Sequence, residues 1–118
     1  MARENNTRES ITPAGDSVGT AIALDGGREA PLFAFLPALE ADGDVVRWEV
    51  SPDGSTWFDL YDSAGVVEMT VGVASRGLGF PLPAAWGPAW IRPVHYTALG
   101  VARAQSAERS ILIVPAVL

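Results

Sequence analysis

The residue types that carry most enzyme chemistry are scarce in this chain of 118 residues. It holds no cysteine and one histidine, His95. That removes thiolate nucleophiles, thiolate zinc sites and multi-histidine metal sites within one chain. Histidine-paired catalysis would need His95 itself, which sits beside Tyr96 in a β-forming run. A strand histidine that is solvated, or satisfied by a backbone carbonyl, is the expectation there. None of the serines lies in a G-x-S-x-G setting, and the glycines form neither a phosphate-binding loop nor a dinucleotide fingerprint. Asp25, Asp42, Asp44, Asp53 and Asp62 fall among turn residues, where a short carboxylate accepts hydrogen bonds from its own local backbone. Asp42, Asp44 and Asp53 offer hard oxygen ligands, yet their spacing matches no calcium loop. The inventory therefore predicts a non-enzymatic protein with no cofactor and no metal site.

Binding chemistry is better represented. Four tryptophans, Trp48, Trp57, Trp86 and Trp90, are many for so short a chain. Two are expected in the core, while Trp86, in the Pro/Gly-rich stretch 84–89, and its neighbour Trp90 are the candidates for exposed aromatic contacts. The segment Ser51-Pro52-Asp53-Gly54-Ser55-Thr56-Trp57 carries tight-turn chemistry. Proline presets φ, Asp53 caps the turn, Gly54 takes the left-handed conformation and Trp57 packs back over the hairpin. At the other end, Arg3, Arg8 and Ile11 belong to a polar stretch of both charge signs that ends in Pro13, Ala14 and Gly15. Residues 1–15 hold too little apolar surface to fold alone, so they are expected to form a flexible N-terminal arm, either a frayed terminus or one that orders on a neighbouring subunit.

From Asp16 the texture becomes that of a β domain over residues 16–118, with short apolar runs broken by Gly, Pro, Asp or Ser about every eight to twelve residues. The expected strands are Ser17 to Leu24, Pro31 to Leu36, Val46 to Ser51, Thr56 to Tyr61, Val66 to Val73, a short piece at Leu78 and Phe80, Trp90 to Thr97, and Glu108 to Leu118. Val46, Trp48 and Val50 alternate with Arg47, Glu49 and Ser51, the mark of a half-buried strand. Pro93 would place its strand at an edge or a bulge. The unbroken run Ile111-Leu112-Ile113-Val114, interrupted at Pro115, implies burial on both faces, between two sheets or under a neighbouring subunit. Roughly eight strands without helix signals predict an all-β, antiparallel two-sheet sandwich, jelly-roll-like, with an immunoglobulin-like sandwich as the alternative.

Apolar residues make up 48% and charged residues 19% of the chain, which predicts a globular fold rather than disorder. Fourteen acidic residues face eight basic ones, all arginine, for a net charge of −6. That balance repels nucleic-acid phosphates and anionic membrane surfaces. No apolar run reaches the roughly 20 residues of a membrane span, and the polar opening residues predict no secretory leader and synthesis in a cytoplasm.

The hairpin from Ser51 to Trp57 resembles that of discoidin-like sugar- and lipid-binding sandwiches, and loosely the Asp-box turn of sialidase repeats, from which it lacks one residue. A wider pattern covers residues 16–118. It runs from a strand ending near Leu24, through the proline-bearing strand Pro31 to Pro37, a strand ending in Ser-x-Asp-Gly, the string Trp57-Phe58-Asp59-Leu60-Tyr61-Asp62-Ser63-Ala64-Gly65 and a strand reaching Ile91-Arg92, to the terminal Ile111 to Val114. In that order the chain resembles small β-sandwich virion proteins of tailed bacteriophages and gene transfer agents, of capsid-decoration or head spike-base type. The tryptophan- and proline-rich stretch Trp86 to Pro93 departs from that pattern. The resemblance implies a virion structural protein made in a bacterial host cytoplasm and attached to the capsid or to a tail or fibre structure. Its implied partners are the major capsid protein or other virion proteins, copies of itself in a homo-oligomer, and a host surface glycan. The alternative is a carbohydrate-binding module of discoidin-like sandwich type.

Overall fold

A computed structural model describes residues 7–24, 29–36, 45–62, 65–70, 76–79 and 90–117, and among them there are strands and turns but no helix. The strands are β1 (Arg8–Thr12), β2 (Ile22–Ala23), β3 (Glu29–Leu36), β4 (Val45–Ser51), β5 (Phe58–Asp59), β6 (Tyr61–Asp62), β7 (Gly65–Val66), β8 (Glu68–Thr70), β9 (Arg76–Gly79), β10 (Trp90–Tyr96) and β11 (Arg109–Val117). They form a four-stranded sheet in the order β1-β11-β3-β9 and a five-stranded sheet in the order β2-β10-β4-β5, with β8 also paired to β4. A small ribbon, β6-β7, stands apart from both. All pairings are antiparallel. The chain passes back and forth between the two large sheets, and β1 and β11, far apart in sequence, lie side by side. This is the strand order of a jelly roll.

The sandwich closes because each sheet turns one apolar face inward. Val46 and Trp48 of β4 and Ile91 of β10 are buried from the five-stranded sheet, and Ile111 and Ile113 meet them from β11. Leu24, Leu60, Val67 and Met69 fill the core between them. The alternation in β4 is realised from Val46 to Glu49, with Trp48 wholly buried and Arg47 and Glu49 on the outer side. At the strand's end it breaks down: Val50 is only half-buried and Ser51, holding the Asp53 turn, is buried.

Several expected details are corrected. Residues 8–12 are not arm but strand: β1 pairs with β11 from Arg8 opposite Ile113 to Thr12 opposite Arg109. Its buried side chains are polar, Ser10 and Thr12, so it carries almost none of the apolar signal that marks a strand in sequence. Cross-bracing supplies what apolarity does not. The Thr20 N–H and hydroxyl both donate to the Ile11 carbonyl, the Ser10 hydroxyl donates to the Thr20 carbonyl, and Arg8 donates to the carbonyl of Ala23. Gly19 is wedged beneath this crossing, where a β-carbon would lie 2.7 Å from both Pro93 and the Ser10 hydroxyl. The run Ser17 to Leu24 is consequently strand only at Ile22–Ala23, with a single bridge at Val18.

Pro93 lies in an interior strand, since β10 pairs with β4 on one side and β2 on the other. Its carbonyl accepts from Gly19, on the side where β2 has already ended. In an antiparallel strand the N–H and C=O of one residue face the same way, so the missing donor is not needed by the ladder to β4. β11 runs on through Pro115 by a shift in register after Val114. It also alternates: Ile111 and Ile113 are buried while Leu112 and Val114 are half-buried on the outer side. The inference of burial on both faces does not hold within one chain. The stretch Thr56 to Tyr61 is two short strands separated by buried Leu60, and the expected strand Val66 to Val73 is split at Val67, its part beyond Thr70 lying outside the described residues.

Candidate functional site

The Ser51–Trp57 hairpin is built from its own side chains. The Asp53 carboxylate accepts backbone N–H bonds from Ser55 and Thr56, both at 2.8 Å, and a bond from the Ser51 hydroxyl at 3.0 Å. The Thr56 and Ser55 amides and the Ser51 hydroxyl hold its pKa below the ordinary carboxylate value. Gly54 has φ of 79°, and a β-carbon there would lie 3.1 Å from the Trp90 ring. The turn therefore has two reasons for glycine, the left-handed backbone and the indole pressed against it.

Trp90 begins a lane of aromatic and ionic groups along β10, on the outer face of the five-stranded sheet. In register beside it, Arg92 stands opposite Glu49, Val94 opposite Arg47 and Tyr96 opposite Val45. Asp59 stands opposite Glu49 and Glu68 opposite Arg47 from the far side of β4. Arg92 makes an ion pair with Glu49 at 2.7 Å, and its guanidinium stacks on the Trp57 ring 4.0 Å from the centroid. Arg47 repeats the device, paired with Glu68 at 3.2 Å and lying 4.9 Å from the Tyr96 centroid. Side-chain exposures of 25% and 19% for Arg92 and Glu49 place that pair within reach of solvent but partly desolvated, where stacking and pairing reinforce one another. Burial, then the charges of Glu49 and Asp59, raise the Tyr96 hydroxyl's pKa, so the ring stays neutral into the alkaline range.

The outer face of the four-stranded sheet is different in kind. Ile11, Leu112 and Val114 occupy it, all half-buried, with exposed Glu9 paired opposite Leu112 and Ser110 opposite Ile11, and the backbone of Phe35 and Phe33 stands in register with Leu112 and Val114 on the other side. A third exposed feature is the turn after β10. Thr97 and Val101 are joined by a 2.8 Å backbone bond, and Leu99 projects from the tip 92% exposed.

Of the residues singled out in sequence, Asp53, Gly54, Trp57 and Trp90 come together at one end of the aromatic lane. Ile11 lies on the opposite, apolar face, and Arg8 is engaged with Ala23. Arg3 and Trp86 lie outside the described residues. Arg92, Glu49, Arg47 and Tyr96 escaped the sequence reading. Arg47 and Glu49 had only the polar phase of the β4 alternation as a local signal, and Arg92 and Tyr96 of β10 had none, because the pairs form only where β4, β8 and β10 lie side by side. The buried His95 bonds through Nε2 to the Thr12 hydroxyl at 3.2 Å, joining β10 to β1 across the sandwich. Among the described residues no group of three or more His, Asp or Glu side chains is arranged to hold a metal ion, and no helix could cross a membrane. No family model, curated protein or solved structure matches this chain.

Proposed function

We propose that this protein is a non-enzymatic structural component of a tailed-phage or gene-transfer-agent particle, seated on its neighbours through the outer face of the four-stranded sheet. The observation that carries this reading is the half-buried aliphatic cluster on that face, Ile11, Leu112 and Val114 from two adjacent strands, bordered by Glu9 and Ser110. A sheet face open to water ordinarily alternates to polar residues. A cluster of aliphatic side chains that persists on the outside of a closed sandwich, rimmed by polar ones, is the kind of surface that packs against another subunit. The seat favours a protein partner over nucleic acid, since the chain carries a net charge of −6. The resemblance of residues 16–118 to small virion sandwiches supplies the setting. The test is co-purification: particles banded on a density gradient should contain the protein at a fixed copy number, and electron microscopy should place the four-stranded sheet against the shell or tail. Its absence from washed particles would refute the reading.

A further inference from the structure

The two outer faces of the sandwich differ in chemistry, and the aliphatic cluster lies on only one of them. The face of the five-stranded sheet offers three aromatic side chains, Trp90, Trp57 and Tyr96, each partly exposed and separated from the next by ionic groups rather than merged into an apolar patch. From Trp90 to Tyr96 the lane follows β10 for about 20 Å at the ordinary strand rise. Its polar members are planar and fixed in place. Arg92 directs both Nε and one terminal nitrogen at the same Glu49 oxygen, at 2.8 and 2.7 Å. That leaves the second Glu49 oxygen as an acceptor and the other guanidinium N–H groups as donors. We infer that this lane is a binding platform for a neutral oligosaccharide, with Trp57 and Tyr96 stacking on sugar rings through the ring faces opposite their arginines and the Arg92–Glu49 and Arg47–Glu68 pairs reading the hydroxyls.

The chemistry selects this ligand class. A pyranose presents a C–H face that packs on an aromatic ring and an edge of hydroxyls that both donate and accept, so it needs rings and paired polar groups in alternation. An apolar protein segment would instead require the rings to be contiguous. Charge selects neutrality. Both arginines of the lane are already matched to a carboxylate, and Asp59 adds a further negative charge beside Glu49. An acidic sugar would therefore meet net repulsion from the lane as well as from the chain. Preorganisation also favours binding here, because the stacked arginines and the Trp90 ring braced on Gly54 lose little freedom on contact.

The inference is independent of particle attachment, and the experiment is made on the isolated protein. A glycan array holding neutral hexose and N-acetylhexosamine oligomers beside sialylated and sulfated ones selects the probe, and isothermal titration calorimetry measures it. Neutral oligomers should bind, with acidic ones failing. Trp57→Ala and Tyr96→Ala should each weaken binding by tenfold or more, whereas Leu112→Glu on the opposite face should leave it unchanged. Chemical-shift mapping on the unaltered protein guards against unfolded variants, and should move the Trp57 indole N–H and the Arg92 side chain. No neutral oligosaccharide bound at millimolar concentration, a preference for acidic glycans or proline-rich peptides, or shifts confined to the four-stranded sheet would each overturn the proposal. Normal glycan binding with no particle incorporation would sink the structural role alone.

Discussion

At the scale of single residues, the hairpin at Asp53 and Gly54 is where sequence and geometry meet most directly. Gly54→Val should destabilise the protein by about 1–2 kcal/mol or more, since a β-branched residue is strained at positive φ and its side chain must displace Trp90. A thermal melt measures the loss, and an unchanged melting temperature would remove Gly54 from the turn's support. Asp53 makes a pH prediction. Its carboxylate is held below its ordinary pKa, so its support is present above the unfolded-state value and is lost as pH falls through the folded-state value. Wild type should therefore lead Asp53→Ala in melting temperature at neutral pH, and the two should converge in strong acid. A gap that stays constant down the acid range would show that the ionised carboxylate is not what braces the turn. The hairpin was legible in sequence because all its bonds are local. Trp57's partner was not, because Arg92 arrives on another strand.

Among the elements, β1 overturns the simplest reading of the N-terminus. Composition marks residues 1–15 as unable to bury apolar surface, yet the backbone ladder to β11 and the contacts of Ser10 and Thr12 hold 8–12 in the sheet. A chain beginning at Asp16 should consequently melt at a clearly lower temperature or fail to fold, rather than fold normally without an arm. The Thr12 bond to His95 is one part of this, and Thr12→Val should cost on the order of 1 kcal/mol, the usual worth of one buried hydrogen bond. Unaltered stability of the truncated chain would return β1 to the status of a dispensable strap. Pro93 teaches the converse lesson. Proline argues for an edge only if a ladder partner lies on the side its nitrogen faces, and whether one lies there depends on where β2 stops.

For the whole molecule, the jelly roll sorts two surfaces onto opposite sides of one core. If the apolar face seats the protein, Leu112→Glu should fold with a near-normal melt, because the side chain is half-buried and outward. The same variant should lose self-association in analytical ultracentrifugation, or drop in copies per particle by several-fold. Full incorporation of Leu112→Glu would move the seat elsewhere, first to the turn that exposes Leu99. Because Trp57, just before β5, and Leu112 of β11 lie on opposite outer sides of the sandwich, variants at the two positions should act additively on stability, as distant sites usually do.

Sequence alone determined what depends on neighbours along the chain. The two-residue alternation of β4, the turn at Asp53-Gly54, the scarcity of catalytic side chains and the all-β class were legible because period, turn propensity and composition are local quantities. Which strands lie side by side was decided only in three dimensions. The β1–β11 ladder, the Thr12–His95 bond and the Arg92–Trp57 stack each join residues whose separation in sequence carries no pattern, and their energy exists only once the sheets have closed. The two outer faces share this origin. Alternation says that every second residue points away from the core, but what those residues jointly present to a partner is set by register across strands, and register is a property of the folded sandwich.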